Sequence, residues 1–259
     1  GIEIQLNHQN TIHELTYAIG GQFTFAESRI IFIDEPPNVP EWQQRTGRPV
    51  DYILLYEADG IYNNQEEIDN SVHFPDAQPG DVRIIDKNGD GMLNEQDKII
   101  IENSPTPRIV YGFPLALEWK SFAINILIQG QSKAQTLYRP FDINQQSEFY
   151  TERWRSELRT PNAQFPAAFN TASSSFREVS TIWLRDNSFL RLKNIELSYS
   201  LDPDSIKPFG LNSLSFFLSG HNILILLDKV KINDPESSSS TGWYYPQQRL
   251  ITGGFRLSF

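Results

Sequence analysis

The sequence predicts an all-β fold: about seven strands of an antiparallel transmembrane β-barrel, joined by long extracellular loops. Three observations carry that expectation. Apolar and polar residues alternate with a period of two over runs of about 10–14 residues, longer than the 5–6 of an ordinary soluble strand and suited to a tilted membrane crossing. The connections between runs are alternately short and long, as in outer-membrane barrels. Tyr, Trp and Phe stand at the ends of the runs, where a lipid–water interface would hold them.

The first run sets Ile2, Ile4 and Leu6 against Glu3, Gln5 and Asn7. A turn is expected at Gln9-Asn10-Thr11. Leu15, Tyr17, Ile19, Gly21, Phe23 and Phe25 then oppose Glu14, Thr16, Ala18, Gly20, Gln22 and Thr24. Ile109, Tyr111, Phe113, Leu115, Leu117 and Trp119 repeat the pattern. After a tight turn at Lys120-Ser121, Phe122, Ile124, Ile126 and Ile128 oppose Ala123, Asn125, Leu127 and Gln129. Ile195, Leu197, Tyr199 and Leu201 face away from Asn194, Glu196, Ser198 and Ser200, and Leu214, Phe216 and Leu218 from Ser213, Ser215 and Ser219. The last run sets Ile251, Gly253, Phe255, Leu257 and Phe259 against Thr252, Gly254, Arg256 and Ser258. Segments 34–107, 132–183 and 225–247 are thereby expected outside the cell, and the turns near 10, 120 and 202–211 in the periplasm. Phe259 is expected to be the aromatic that the membrane-assembly machinery reads. A soluble β-sandwich with one buried face per strand shares the alternation and stays open on pattern alone.

Composition narrows the function. The 259 residues carry 22 Lys plus Arg against 32 Asp plus Glu, a net charge of −10, so a grip on phosphate backbones is excluded as a main role and no nucleic acid is expected. Cysteine is absent, which removes disulfides, thiolate metal sites and cysteine nucleophiles. Four scattered histidines, at 8, 13, 73 and 221, leave little for an imidazole cage or a catalytic dyad. These features lean away from an enzyme. Mean hydropathy is −0.41, and no apolar run approaches the roughly 18–20 residues of a membrane helix, which leaves a barrel untouched. There is no signal-peptide pattern at Gly1-Ile2-Glu3-Ile4, and an opening directly in a strand suggests that something longer precedes it.

One loop carries metal chemistry. Asp86-Lys87-Asn88-Gly89-Asp90-Gly91-Met92-Leu93-Asn94-Glu95-Gln96-Asp97 has the D-x-[DN]-x-[DN]-G form of a calcium loop. Side-chain oxygens of Asp86, Asn88 and Asp90 would converge, Gly91 would permit the sharp turn, and the Met92 carbonyl would point inward. Asn94 would contribute directly or through water, and Asp97 would close the shell with a shorter arm than the usual Glu. The flanks Val82-Arg83-Ile84-Ile85 and Lys98-Ile99-Ile100-Ile101 look like strands, so structural Ca2+ is expected and not a sensor. Without a cation, repulsion among the three carboxylates is expected to open the loop.

At this point a family resemblance enters. Pro79-Gly80-Asp81 through the calcium loop, Ser104-Pro105-Thr106-Pro107, Tyr111-Gly112-Phe113, Trp119-Lys120-Ser121-Phe122 and Gln129-Gly130-Gln131 resemble the C-terminal portion of SusC/RagA-type TonB-dependent transporters of Bacteroidetes outer membranes. So do Tyr56-Glu57-Ala58-Asp59-Gly60-Ile61, Trp154 with Thr160 to Pro166, Leu184 to Asn194, Ser219 to Leu224, Tyr245-Pro246 and Phe255 to Phe259. The resemblance covers residues 1–259 in order. It implies a barrel of about 22 strands, of which this chain supplies the last third. It implies nutrient uptake: import of oligosaccharides or peptides with a SusD-like surface lipoprotein as partner, TonB acting through an N-terminal part with a plug domain that has no counterpart here, and outer-membrane lipid around the strands.

Other candidates are weaker. Trp42, Tyr62, Tyr150, Trp154, Trp243, Tyr244 and Tyr245 could stack on sugar rings, although such residues more often pack loops. Glu66-Glu67 and Asp202/Asp204 read as solvated surface and not as acid/base pairs, Ser237–Ser240 as a polar loop tip, and His221 as a hydrogen-bonding residue. Arg191 and Lys193 share the parity of Ile195 and Leu197, so they are expected beyond the hydrocarbon band on the same outward face. No substrate-binding residue is assigned.

Overall fold

The computed structural model describes residues 1–103, 105–138, 151–156, 163–168, 173–231, 234–236 and 247–259. Their strands are β1 (Ile2–Ile12), β2 (Leu15–Phe25), β3 (Ile53–Tyr56), β4 (Ala58–Ile61), β5 (Val82–Ile84), β6 (Lys98–Ile101), β7 (Ile109–Trp119), β8 (Phe122–Ser132), β9 (Gln135–Leu137), β10 (Leu184–Asp186), β11 (Phe189–Ser200), β12 (Ser213–Asp228) and β13 (Leu250–Ser258). Seven of them make one antiparallel sheet in the order β1-β2-β7-β8-β11-β12-β13. These are the seven alternating runs of the sequence. β1, β8, β11 and β12 run further than the alternation marks.

The turn expected at Gln9-Asn10-Thr11 lies inside β1. Those polar residues pair across to Ala18, Tyr17 and Thr16, and the chain reverses at His13-Glu14, with Ile12 opposite Leu15. Sheet pairing overrides turn composition here: Thr11 and Thr16 hydroxyls lie 3.1 Å apart, as do His8 Nε2 and the Tyr17 hydroxyl. Lys120-Ser121 is the two-residue hairpin the sequence indicates, and Lys120 reaches Glu14 of the neighbouring turn at 3.1 Å. The connection after β11 holds a short helix, Pro203–Ile206, capped by the Asp202 side chain. Strand direction puts these three short connections at one end of the sheet and the three long ones at the other.

Because directly opposed residues in an antiparallel pair share a face, register extends each strand's alternation across the whole sheet. Leu15, Trp119, Phe122, Tyr199, Phe216 and Phe255 form one continuous row near the short-turn end. Ile19, Leu115, Ile126, Ile195, Gly220 and Ile251 form another higher up. β1 departs from the pattern, since His8 and Asn10 stand on this side too. The face is bare: Ile251 is 71% and Phe255 62% exposed. Among the described residues no second sheet covers it, because the remaining strands pair two by two within the long connections. The 11 residues of β7 measure about 36 Å, or about 27 Å of height at barrel tilts.

The buried core lies elsewhere. Tyr138, Phe165 and Trp183 form one cluster and Tyr56, Val82 and Ile84 another, and Ile182 packs against both. The long connections on either side of the β7–β8 hairpin therefore fold into one body. Arg108, almost fully buried, ties it to the sheet by pairing with Glu27 after β2 and with the Glu102 carbonyl.

Two glycines make close approaches possible inside the sheet. Pro114 cannot donate to the ladder, and a Cβ on Gly20 would come within 2.7 Å of its ring. At Gly130 a Cβ would collide with the Phe189 carbonyl oxygen and lie 2.6 Å from the Tyr111 ring, whose hydroxyl donates to that same oxygen at 3.1 Å. Gly130→Ala is expected to cost about 1–3 kcal/mol by overpacking, read as a lower midpoint temperature of thermal unfolding. Gly253→Ala, with nothing nearer than 3.8 Å, should leave that temperature unchanged.

Candidate functional site

The face opposite the apolar rows is polar and hollow. A cavity of about 720 Å³ touches residues of all seven strands, from Asn7 on β1 through Asn125 and Asn194 to Thr252 on β13, which requires the sheet to curl toward this side. Asn7, Gln9, Asn125, Asn194, Ser219 and Thr252 bring amides and hydroxyls to a lining that also holds Ala18, Pro114, Ala116 and Leu127. Arg256 forms a two-point pair with Glu196 at 3.1 and 2.9 Å, and His221 hydrogen-bonds the Asn194 side chain, the role expected of it.

Arg191 and Lys193 are placed differently from the sequence expectation. Register shifts between Leu192 and Asn194 on both sides of β11, so Lys193 is a bulge residue. One extra residue inverts the parity above it: Leu192 opposes Ile128 on the apolar side, while Arg191 opposes Gln129 on the polar side. Arg191 is 2% exposed and pairs with Asp234 at 2.6 Å and with Glu236. Lys193 reaches Glu236 at 2.9 Å, and Gln129 donates to it at 3.1 Å. A period-two count could not reveal this, since a bulge depends on the neighbouring strands.

The 86–97 loop is held by its own side chains. Asp86 accepts the amides of Gly89 and Gly91 at 2.8 Å each, Asn88 that of Asp90 at 2.9 Å, and Asp90 that of Met92 at 2.8 Å. The Met92 bond, with Asn88 behind it, holds the Asp90 carboxyl below its usual range. Asn94 caps the 3₁₀ turn Glu95–Asp97, and Asp97 is fully buried, accepting amides of Lys87, Asn88 and Asn94. Leu93 packs on the Tyr56 cluster, while the Met92 side chain is exposed. From outside, Trp42 donates to the Gln96 carbonyl at 3.0 Å and Gln43 to those of Glu95 and Lys98 at 2.7 Å. The expected opening by carboxylate repulsion therefore meets a competing set of backbone donors. Among the described residues no three His, Cys, Asp or Glu side chains stand gathered as a ready metal-binding group. The strand-like flanks do form strands, but β5 pairs with β4 and β6 with β3.

The loop aromatics that could meet sugars are structural where they are described. Tyr62 and Trp154 are buried, and Trp42 clamps the 86–97 loop. Tyr150, Ser237–Ser240 and 243–245 lie outside the described residues. Glu67 closes a short helix by accepting the Asn63 amide, and Asp204 pairs with Lys207 on the surface. Asp81 is the buried carboxyl that the sequence reading passed over: Ser173 donates to it at 2.7 Å and the Gln78 amide at 2.9 Å. Burial pushes it above the usual carboxylate range against those two bonds.

The fold is thus a seven-stranded antiparallel sheet with one apolar face, one polar face and its long connections at one end. No family model matches the chain. It is 25% identical over 223 residues to TonB-dependent receptor P26 of Formosa agariphila, covering 77% of this chain and 22% of that protein. It is also 25% identical to TonB-dependent receptor P3 of the same organism over 290 aligned positions, covering 100% of this chain and 28% of the relative. Among solved structures it superposes on the RagAB peptide transporter with a TM-score of 0.72 at 20% identity, over 99% of this chain and 29% of that one. The RagAB peptide importer in its closed-closed state gives 0.68 at 18% identity. The chain is thus distantly similar in sequence to these TonB-dependent receptors, and its fold aligns with part of the RagA structure. The chain spans about a quarter of the length of these relatives.

Asp97→Ala is expected to leave three partly buried amides without their acceptor, at about 0.5–1.5 kcal/mol each. Hydrogen exchange across 86–97 should then rise by more than tenfold while β7 and β8 keep their protection. For Asp81 the sign follows from its raised position: the folded state holds the proton more tightly than the unfolded one. Stability of the loop body should fall as pH rises from the ordinary Asp value through the raised one, and Asp81→Asn should flatten that fall in pH-dependent exchange.

Proposed function

We propose that this chain is the C-terminal wall segment of a TonB-dependent outer-membrane transporter that imports oligosaccharides or peptides. The observation that carries the proposal is the bare apolar face with its aromatic row, matched in height to a hydrocarbon layer. The remaining strands of a barrel of about 22 would pair with the free edges of β1 and β13, and the polar face would line the lumen. The three long connections would lie outside the cell and the three short ones in the periplasm, with a SusD-like lipoprotein above the loop body and TonB acting through a plug domain. Between the two cargo classes, the fold likeness to a transporter described as carrying peptides favours peptides. The soluble, calcium-stabilised carbohydrate-binding sandwich is disfavoured because nothing described covers the apolar face.

Calcium belongs to the same proposal as a structural ion of the 86–97 loop. Asp86, Asn88, Asp90, the Met92 carbonyl, Asn94 and Asp97 offer an all-oxygen set of the right hardness, and both Asp86 oxygens, Asp90 Oδ1 and Asp97 Oδ2 accept one amide each and keep a second lone pair. In full-length protein, millimolar Ca2+ should raise exchange protection of 86–97, and Asp90→Ala should abolish that response. Protection indifferent to Ca2+ would remove the metal from the reading.

The membrane proposal has its own test. Ile126→Arg places a charge at mid-height of the apolar face, at about 2–4 kcal/mol, and should sharply reduce folded protein in the outer membrane. Asn125→Arg, one residue along on the polar face, should be tolerated. Equal levels for the two variants would sink the idea.

A further inference from the structure

We propose that Arg191, Lys193 and Gln129 form a carboxylate-receiving site on the inner wall whose resident occupant is the chain's own Asp234-Pro235-Glu236. The tripeptide is then a fixed part of the lumen lining, even though it belongs to the 225–247 connection expected at the cell surface. The proposal rests on the reading of the polar face as a lumen. The site is built from the strand outward. The bulge at Lys193 turns Arg191 inward and projects Lys193 to the same place, so two cations meet at one height on β11. Both terminal nitrogens of Arg191 are taken, one by Asp234 at 2.6 Å and one by Glu236, and Lys193 holds Glu236 through both oxygens at 2.9 Å.

The occupant is preorganised. Asp234 accepts the Glu236 amide at 2.9 Å, and this Asx turn, with Pro235 fixing the backbone between the acids, aims both carboxylates at the guanidinium fork. Two positive and two negative charges cancel, and the Arg191 side chain is only 2% exposed. Taking away one side would strand a buried charge, so the tripeptide stays seated. Beside it, Pro235 and Glu236 form part of the wall of a cavity of about 500 Å³ shared with Gln131. The space open to cargo at this height is thus set by the strap as well as by the strands.

The test uses the full-length transporter with no other cysteines, carrying Gln131→Cys and Pro235→Cys, in outer-membrane fractions treated with dibromobimane, which fluoresces when it bridges two nearby thiols. Bridging is expected in the otherwise unaltered protein. Asp234→Asn with Glu236→Gln, and separately Arg191→Met, should reduce it by at least about tenfold, given what a broken buried pair costs. Asp234→Asn alone, which keeps the Glu236 pair, should give an intermediate signal and covers the case of a double variant that does not insert. Absence of bridging in the unaltered background, or bridging untouched by neutralisation, overturns the strap. If the two-cysteine protein with no further substitution is missing from the outer-membrane fraction, or lacks a heat-modifiable band, the transporter reading beneath the proposal is overturned instead.

Discussion

Hydrogen bonding between strands sets everything else in this molecule. Seven strands locked in register cannot rotate independently, so the side each residue faces is fixed jointly for the whole sheet. The pleat turns a period of two in the sequence into two chemically opposite surfaces. One-residue slippage anywhere would exchange Phe122 and Ile124 for Ala123 and Asn125 against their neighbours. The aromatic row from Trp119 to Phe255 is a direct product of that locking, since its members come from five strands and are spread over more than 130 residues of chain.

The sheet cannot stabilise itself by burial, because its apolar side chains have nothing within the described chain to pack on. The loop body can. Trp183, Tyr138 and Phe165 are as deeply buried as residues of any soluble core, and Ile182 joins their cluster to that of Tyr56. Long connections are cheap to close, since the entropy of closure grows only with the logarithm of length. Their order still has to come from packing and polar closure. The 86–97 loop shows the second route: Asx turns, a capping box and two clamping side chains satisfy its backbone.

Much of this was legible in the residues. The seven strands, the Lys120-Ser121 hairpin and the order of short and long connections follow from alternation and from turn composition, both local. What escaped was non-local. Gln9-Asn10-Thr11 has turn composition but finds partners on β2. The flanks of the 86–97 loop have strand composition, yet which strands they pair with depends on segments 53–56 and 58–61, and no periodicity encodes that. Trp42, Tyr62 and Trp154 look like ligand platforms until the packing around them is known. Asp81 stands in the Pro79-Gly80-Asp81 stretch with no chemistry marked on it, and its weight comes from Ser173, 92 residues away.

The bulge at Lys193 shows how much one residue can decide. With strict alternation Arg191 would share the face of Ile195, near the long-loop end of β11, where a lipid-facing charge costs up to about 1 kcal/mol. The inserted residue moves the charge through the sheet at the expense of a local break in the ladder. It also frees Leu192 to meet Ile128 and Leu224 on the apolar side, so the outer surface stays continuous across the break. β12 accommodates the change with irregularities of its own, including Asn222 at a φ of 53°. The same insertion therefore keeps the outside apolar and brings two cations inside, where Asp234 and Glu236 can neutralise them. Outer surface and inner ion cluster are two consequences of one register shift, and neither could be altered without the other.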